Sequence, residues 1–242
     1  MKRTYHKWHS PILHKEMELL VFGETGAKVI FFPPRMSRFY DYENWHLIDI
    51  LKEKINQGFI QVFCVDSIDG ESLYNVNIPP KERILRHIHY EQYIIQEVIP
   101  FTQSLNTTPF LIAAGCSLGA YHAVNIALKH PKSFNKVVGM SGRYDINTQM
   151  AHYHDLFDGY FNEDIYFNLP NIYMKNLHDE NWLDKIRKLD IILAVGHDDP
   201  CLKSNEKLNQ TLHDKNIHSS LYIWNGDGHR ACFWREMIQI YL

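Results

Sequence analysis

Phe110-Leu111-Ile112-Ala113-Ala114-Gly115-Cys116-Ser117-Leu118-Gly119-Ala120-Tyr121-His122-Ala123 decides the reading of this chain. It opens on an apolar run short enough for a buried strand. It leads into Val124, Ile126, Ala127 and Leu128, which read as a helix ending near Lys129-His130-Pro131. Between the two stands Gly115-x-Ser117-x-Gly119, the pattern of a nucleophile elbow. The chemistry explains the spacing. Ser117 has to sit on a sharp strained turn for its hydroxyl to stand clear of the backbone. The two glycines remove Cβ atoms where strand and helix come closest. The peptide N–H of Leu118 then lies at a helix N-terminus, where it can stabilise an oxyanion. Cys116 beside it is a conceivable nucleophile, but elbow geometry favours the middle residue, Ser117.

Outward from the elbow, strands alternate with helices. Residues 4–9 and 15–22 read as two opening strands, the second with Met17, Leu19 and Val21 at a period of two. Gly23-Glu24-Thr25-Gly26 reads as a hairpin turn into the apolar strand Ala27 to Phe32. A helix is expected from Trp45 to Gln57, stopped by Gly58, then a strand from Phe59 to Val65. A long loop follows to Pro79-Pro80, then a helix over about residues 81–98. Pro100 and Thr107-Thr108-Pro109 mark the approach to the elbow strand. Beyond the elbow helix come strands at 136–140, 190–195 and 219–224. Helices are expected at 202–214 and from Ala231, and 146–185 reads as an irregular insertion over the site. This order implies an α/β fold with a mostly parallel central sheet, antiparallel N-terminal strands and helices on both faces. Residues 1–242 read as one domain, with ligands bound at the carboxyl ends of the strands.

Composition narrows the class. The chain has 242 residues, 45% of them hydrophobic, a net charge of -3 and a mean hydropathy of -0.33. These values suit a soluble protein and give no reason to expect nucleic acid or a membrane as partner. The basic start, Met1 to His9, has no apolar stretch behind it and does not read as a signal peptide. Cys64, Cys116, Cys201 and Cys232 are scattered, as expected of free thiols in the cytoplasm. Among the 15 histidines, His87/His89 and His152/His154 match no metal-ligand spacing, so core or surface histidine is the reading and no metal or other cofactor is expected.

A serine nucleophile needs a base, and the base an orienting carboxylate. In the chain order Ser, Asp or Glu, His, two later strand exits qualify: Gly196-His197-Asp198-Asp199 and Gly226-Asp227-Gly228-His229. His229 is the expected base. Asp198 and Asp199 compete as the acid; Asp199 is preferred because Pro200 restricts it to extended backbone. The second oxyanion N–H should come from the loop after the third strand. Pro33 and Pro34 have none, so Arg35 is the first donor, with Met36 behind it. The Arg35 side chain is placed either to attract an acidic substrate group or simply in solvent. The aromatic loops at 38–45 and 153–167 offer substrate contacts or packing surface, the latter for most of their residues.

The elbow, Arg38-Phe39-Tyr40-Asp41-Tyr42-Glu43, Cys64-Val65-Asp66-Ser67, Tyr90-Glu91-Gln92-Tyr93, Asp164 to Asn168 and His229 with Phe233-Trp234-Arg235 together resemble the putative esterase family. That family is related to esterase D (S-formylglutathione hydrolase), the enterochelin esterases and the mycolyltransferases. The resemblance spans about residues 15–240. It implies an α/β-hydrolase fold and a catalytic triad at Ser117, Asp199 and His229, hence a serine esterase acting on a small-molecule ester through an acyl-enzyme. Two stretches depart from the family. Pro33-Pro34-Arg35-Met36-Ser37 lacks the small residues usual at the oxyanion loop, and Arg230-Ala231-Cys232-Phe233-Trp234 stands where relatives tend to have Asp-Trp-Pro. Acyl transfer, or a hydrolase fold kept for binding alone, are the alternative functions, and homo-oligomer formation is left open.

Overall fold

The computed structural model describes residues 1–151 and 153–242; His152, and with it half of the His152/His154 pair, lies outside the described residues. Among the described residues, eight strands form one sheet in the order β1-β2-β4-β3-β5-β6-β7-β8. They are β1 (Arg3–Ser10), β2 (Lys15–Phe22), β3 (Ala27–Phe32), β4 (Ile60–Val65), β5 (Leu111–Cys116), β6 (Lys136–Met140), β7 (Asp190–Gly196) and β8 (Ser220–Trp224). From β4 to β8 the strands are parallel, and β2 runs antiparallel to both β1 and β4. The fold is the α/β-hydrolase arrangement expected from the sequence.

The side-chain period of two sends alternate residues of each central strand to opposite faces. Ile30, Phe32, Ala113, Val137, Ile191 and Leu193 point to one core. Val29, Phe31, Ile112, Ala114, Val138 and Ala194 point to the other. The second core is closed by α2 (Leu47–Asn56), through Leu47, Ile48, Leu51 and Ile55, and by the C-terminal helix Ala231–Tyr241 through Trp234, Met237 and Ile238. Both cores are made of residues buried on each side of a sheet, which is why these strands read as near-continuous apolar runs.

Three expectations need correction. Gly23 to Gly26 is not a hairpin turn: β2 pairs with β1 and β4, and β4 lies between β2 and β3. A tight glycine turn looks the same in sequence whether the strands it joins pair or step past one another. The helix expected over Trp45–Gln57 is α2 and begins only at Leu47, because His46 before it adopts φ 60°, and a separate single turn, α1 (Asp41–Asn44), precedes it in the aromatic loop. The helix at 81–98 does not stop before Pro100. It runs as α3 (Pro80–Tyr93), a π-helical turn Ile94–Val98 and α4 (Ile99–Leu105). The wider turn changes the hydrogen-bond register just ahead of Pro100, which enters near the start of α4, where its missing N–H costs least.

The elbow helix is α5 (Leu118–Lys129). The stretch at 146–185 holds three short helices, α6 (Glu163–Tyr166), α7 (Pro170–Asn176) and α8 (Glu180–Ile186). Met174 of α7 and Leu183 and Ile186 of α8 belong to the first core, so the later half of this stretch covers the sheet. The last two helices are α9 (Leu202–Asp214) and α10 (Ala231–Tyr241).

Candidate active site

The loops leaving β3, β5, β6, β7 and β8 all emerge at the carboxyl end of the parallel sheet, which is where the candidate residues meet. Ser117 follows the last residue of β5 and precedes α5, with φ 56° and ψ -120°. That positive φ is strained for a side-chain-bearing residue and is held by the Ser117 N–H donating to the Met140 carbonyl at 2.8 Å. The flanking glycines are sterically required. A Cβ on Gly115 would lie 2.2 Å from the Gly119 carbonyl, and one on Gly119 would lie 2.0 Å from the Phe32 carbonyl. The turn is further tied down by buried Tyr42, whose ring stacks on Phe31. Its hydroxyl accepts from the Cys116 N–H at 3.0 Å and donates to the Phe32 carbonyl at 2.6 Å. Cys116 itself is fully buried under this turn, and burial pushes its thiol pKa up, away from thiolate character.

His229 brings its Nε2 to 2.9 Å from Ser117 Oγ. Its Nδ1 lies 3.1 Å from both carboxylate oxygens of Asp199, which is 4% exposed. Asp199 also accepts from the Cys201 N–H at 2.8 Å, which fixes its rotamer. Asp198 points elsewhere: it is exposed and its carboxylate meets His197 at 2.9 Å. The two loops are laced together by backbone bonds from His197 N–H to the Trp224 carbonyl and from Asp198 N–H to the Gly226 carbonyl, at 2.7 and 2.9 Å. Ser141, just beyond β6, supports the loop from below. Its Oγ donates to the Gly228 carbonyl at 3.0 Å and accepts from Trp234 Nε1 at 3.3 Å.

Leu118 is the first residue of α5, so its N–H has no carbonyl partner within the helix. Across from it, Pro34 to Ser37 form a turn closed by Ser37 N–H on the Pro34 carbonyl at 3.1 Å. Met36 in that turn has φ 58° and spends its N–H on Asp69 Oδ2 at 3.1 Å, so of the two amides considered for this loop only Arg35's stands outside that bond. Asp69 is buried, and His122 of α5 places Nε2 3.4 Å from its other oxygen.

A cavity of about 300 Å³ opens over Ser117, walled by Leu118, Pro34, Trp45, Trp234 and Tyr153. Of the aromatic loops, Trp45 and Tyr153 reach the cavity, whereas Phe39, Tyr42 and Phe157 are packing residues. Sequence reasoning did not single out Tyr153, Tyr74 or Arg143, which also line this space; they are isolated residues in loops, with no spacing that marks them. Cys201 Sγ, an Asp199 oxygen and a His229 nitrogen lie within 4.8 Å of one another, a donor set a divalent metal could occupy. Burial pushes the Cys201 thiol pKa up, toward the protonated form that is a poor ligand. His87 is a core histidine and His89 is exposed. Cys64, Cys116, Cys201 and Cys232 are all free thiols. Among the described residues, no helix is long and apolar enough to cross a membrane.

Solved structures share this architecture. A ferulic acid esterase superposes with a TM-score of 0.73 at 16% identity, covering 99% of this chain and 96% of its own. An S-formylglutathione hydrolase from Agrobacterium tumefaciens gives 0.73 at 15% identity, covering 98% and 91%. One from Staphylococcus aureus gives 0.71 at 17%, covering 98% and 96%. At these identities the likeness establishes the fold. No curated protein matches the chain in sequence. The model of the family described as Putative esterase matches residues 84–239, a span holding the elbow, both later strand exits and most of the C-terminal helix. The chain belongs to the Putative esterase family and is an esterase.

Proposed function

We propose that Ser117, His229 and Asp199 form a catalytic triad that hydrolyses a small-molecule carboxylic ester through an acyl-enzyme. The observation that carries this reading is the pair of contacts made by one imidazole, 2.9 Å from Nε2 to Ser117 Oγ and 3.1 Å from Nδ1 to Asp199. Asp199 holds the tautomer with hydrogen on Nδ1, which leaves the Nε2 lone pair facing the serine hydroxyl. As Ser117 Oγ attacks the ester carbonyl, its proton passes to Nε2. The tetrahedral oxyanion is held by the N–H groups of Leu118 and Arg35. Collapse expels the alcohol, which takes the proton from Nε2 and leaves Ser117 acylated. Water then gives its proton to Nε2 and attacks the acyl group, and Ser117 departs with that proton as the acid is released. No metal or organic cofactor enters these steps. We read residues 1–242 as one catalytic domain working in the cytoplasm, a reading supported by the single sheet and the four free cysteines.

The test is hydrolysis of 4-nitrophenyl esters of increasing chain length by the wild type and by Ser117→Ala, with a fluorophosphonate probe as a second readout. Turnover and labelling that both vanish in Ser117→Ala are expected. Turnover that survives in this variant overturns the assignment.

A further inference from the structure

Arg143 leaves β6 and runs into the wall of the Ser117 cavity while only 5% exposed. A buried cation normally faces a carboxylate, as buried Arg83 does with Asp158 at 2.9 Å. Arg143 has no such partner among the described residues. Its Nη2 donates to three carbonyls, those of His154 at 2.6 Å, Thr148 at 2.7 Å and Ile146 at 3.4 Å. Its Nε is buried with no hydrogen-bond partner. Carbonyl dipoles anchor the guanidinium but do not neutralise it, and burial pulls its pKa down from the ordinary arginine value. Three neutral acceptors on one nitrogen, with the centre of the Tyr153 ring 5.3 Å from the guanidinium carbon, fix the orientation of the planar fork; Asp155 acts on it only through space, so no carboxylate is paired with it among the described residues and its charge is open to a ligand.

A second cation shares this wall. Arg35 is exposed, with its guanidinium carbon 5.5 Å from the centre of the Tyr74 ring. Arg35, Tyr74, Arg143 and Tyr153 line both the 300 Å³ cavity over Ser117 and an adjoining one of about 290 Å³. The carboxylates of the outer cavity are already engaged. Asp158 pairs with Arg83, and Asp155 accepts from the N–H groups of Phe157 and Gly159, each at 2.8 Å. The shared part of the two cavities therefore presents two guanidinium groups and two phenol rings.

Building on the serine-esterase reading of Ser117, we propose that Arg143 and Arg35 form a carboxylate-recognising subsite beside the nucleophile, and that the substrates are esters carrying a carboxylate. Arg143 is the fixed element, aimed before the ligand arrives. Arg35 is the adaptable one, closing over the anion from the oxyanion loop. A neutral ester of the same size leaves the buried cation unanswered, so discrimination comes as much from rejecting the neutral ester as from attracting the charged one.

Two matched pairs of esters test this: mono-4-nitrophenyl glutarate against 4-nitrophenyl pentanoate, with the charge on the acyl side, and 4-acetoxybenzoate against 4-acetoxybenzamide, with the charge on the alcohol side. The expected result is a kcat/KM about tenfold or more higher for the carboxylate ester in at least one pair, the size of a charge-assisted hydrogen bond gained. That ratio falls several-fold in Arg35→Ala and in Arg143→Lys, which keeps the charge but loses the fork, and it falls with added salt. Because a ratio within one variant is compared, partial misfolding cancels. The same pairs are titrated calorimetrically into Ser117→Ala. Equal kcat/KM and equal binding within both pairs, or a preference that neither arginine variant alters, overturns the subsite. Preferential binding of the carboxylate esters to Ser117→Ala, with neither turnover nor fluorophosphonate labelling in the wild type, supports the subsite while removing the serine-esterase reading of Ser117.

Discussion

The hydroxyl of Tyr153 lies 3.1 Å from His229 Nε2, the same nitrogen that Ser117 Oγ approaches at 2.9 Å. A neutral imidazole carries one lone pair there, so two hydroxyls contend for one acceptor. Tyr153→Phe removes the competitor. The expected outcome is faster fluorophosphonate labelling of Ser117, by roughly fivefold if the lost bond is worth about 1 kcal/mol. A slower rate would mean that Tyr153 aids the attack rather than restraining it.

The two adjacent aspartates separate cleanly. Asp199→Asn keeps the shape but offers His229 Nδ1 the wrong partner, and kcat is expected to fall by about 10⁴-fold, the scale seen when a triad acid is made an amide. Asp198→Asn changes an exposed side chain that, among the described residues, pairs with His197, and kcat should stay within about twofold. Steady-state kinetics on the two variants, side by side, checks both.

Tyr42 bridges the oxyanion side to the elbow. Tyr42→Phe keeps the stack on Phe31 but leaves the Cys116 N–H and the Phe32 carbonyl without their buried partner. A loss of about 1–3 kcal/mol in urea unfolding is expected, with a lowered kcat because Ser117 follows Cys116 directly. An unchanged stability would show that water replaces the hydroxyl.

Core His87 carries an acid sensitivity. Burial, with the nearby charge of His122 adding to it, holds its pKa down at about 3, against 6.5 for a free histidine. The unfolded chain therefore binds this proton first. The stabilisation is complete above pH 6.5 and is lost as pH falls toward 3, at up to about 1.4 kcal/mol per pH unit from this group. Urea midpoints measured from pH 7 down to pH 4.5 should decline in the wild type and decline less steeply in His87→Gln.

Much of this was legible in the chain because its signals were redundant. The elbow combines a strand, a glycine-serine-glycine turn and a helix, and each constrains the others. His229 and Asp199, which the structure brings together, are legible because both follow apolar strands. Asp198 was harder to separate, since adjacent residues share every sequence signal and only the backbone turn decides which faces the imidazole. The hairpin expected at Gly23 failed because strand pairing is settled by the whole sheet. The break at His46 has no glycine or proline to announce it. Arg143 carried no sequence signal and Tyr153 was marked only as part of an aromatic loop, for another reason: the roles proposed for them come from what lies opposite them in space, and neither the loop after β6 nor the stretch after residue 150 has a period to reveal that.

The strand order has a consequence for how the enzyme fails. Ser117 hangs from β5, which has parallel neighbours on both sides, while His229 hangs from β8, the outermost strand, whose Tyr222 and Ile223 are about half exposed. Edge strands fray at lower free energy than central ones. Under the proposed triad, one of its three members is therefore carried by an edge of the sheet, and on warming activity is expected to fall before the bulk unfolding transition. Such a loss should reverse on cooling, which would place the thermal limit of activity in one peripheral strand rather than in the core.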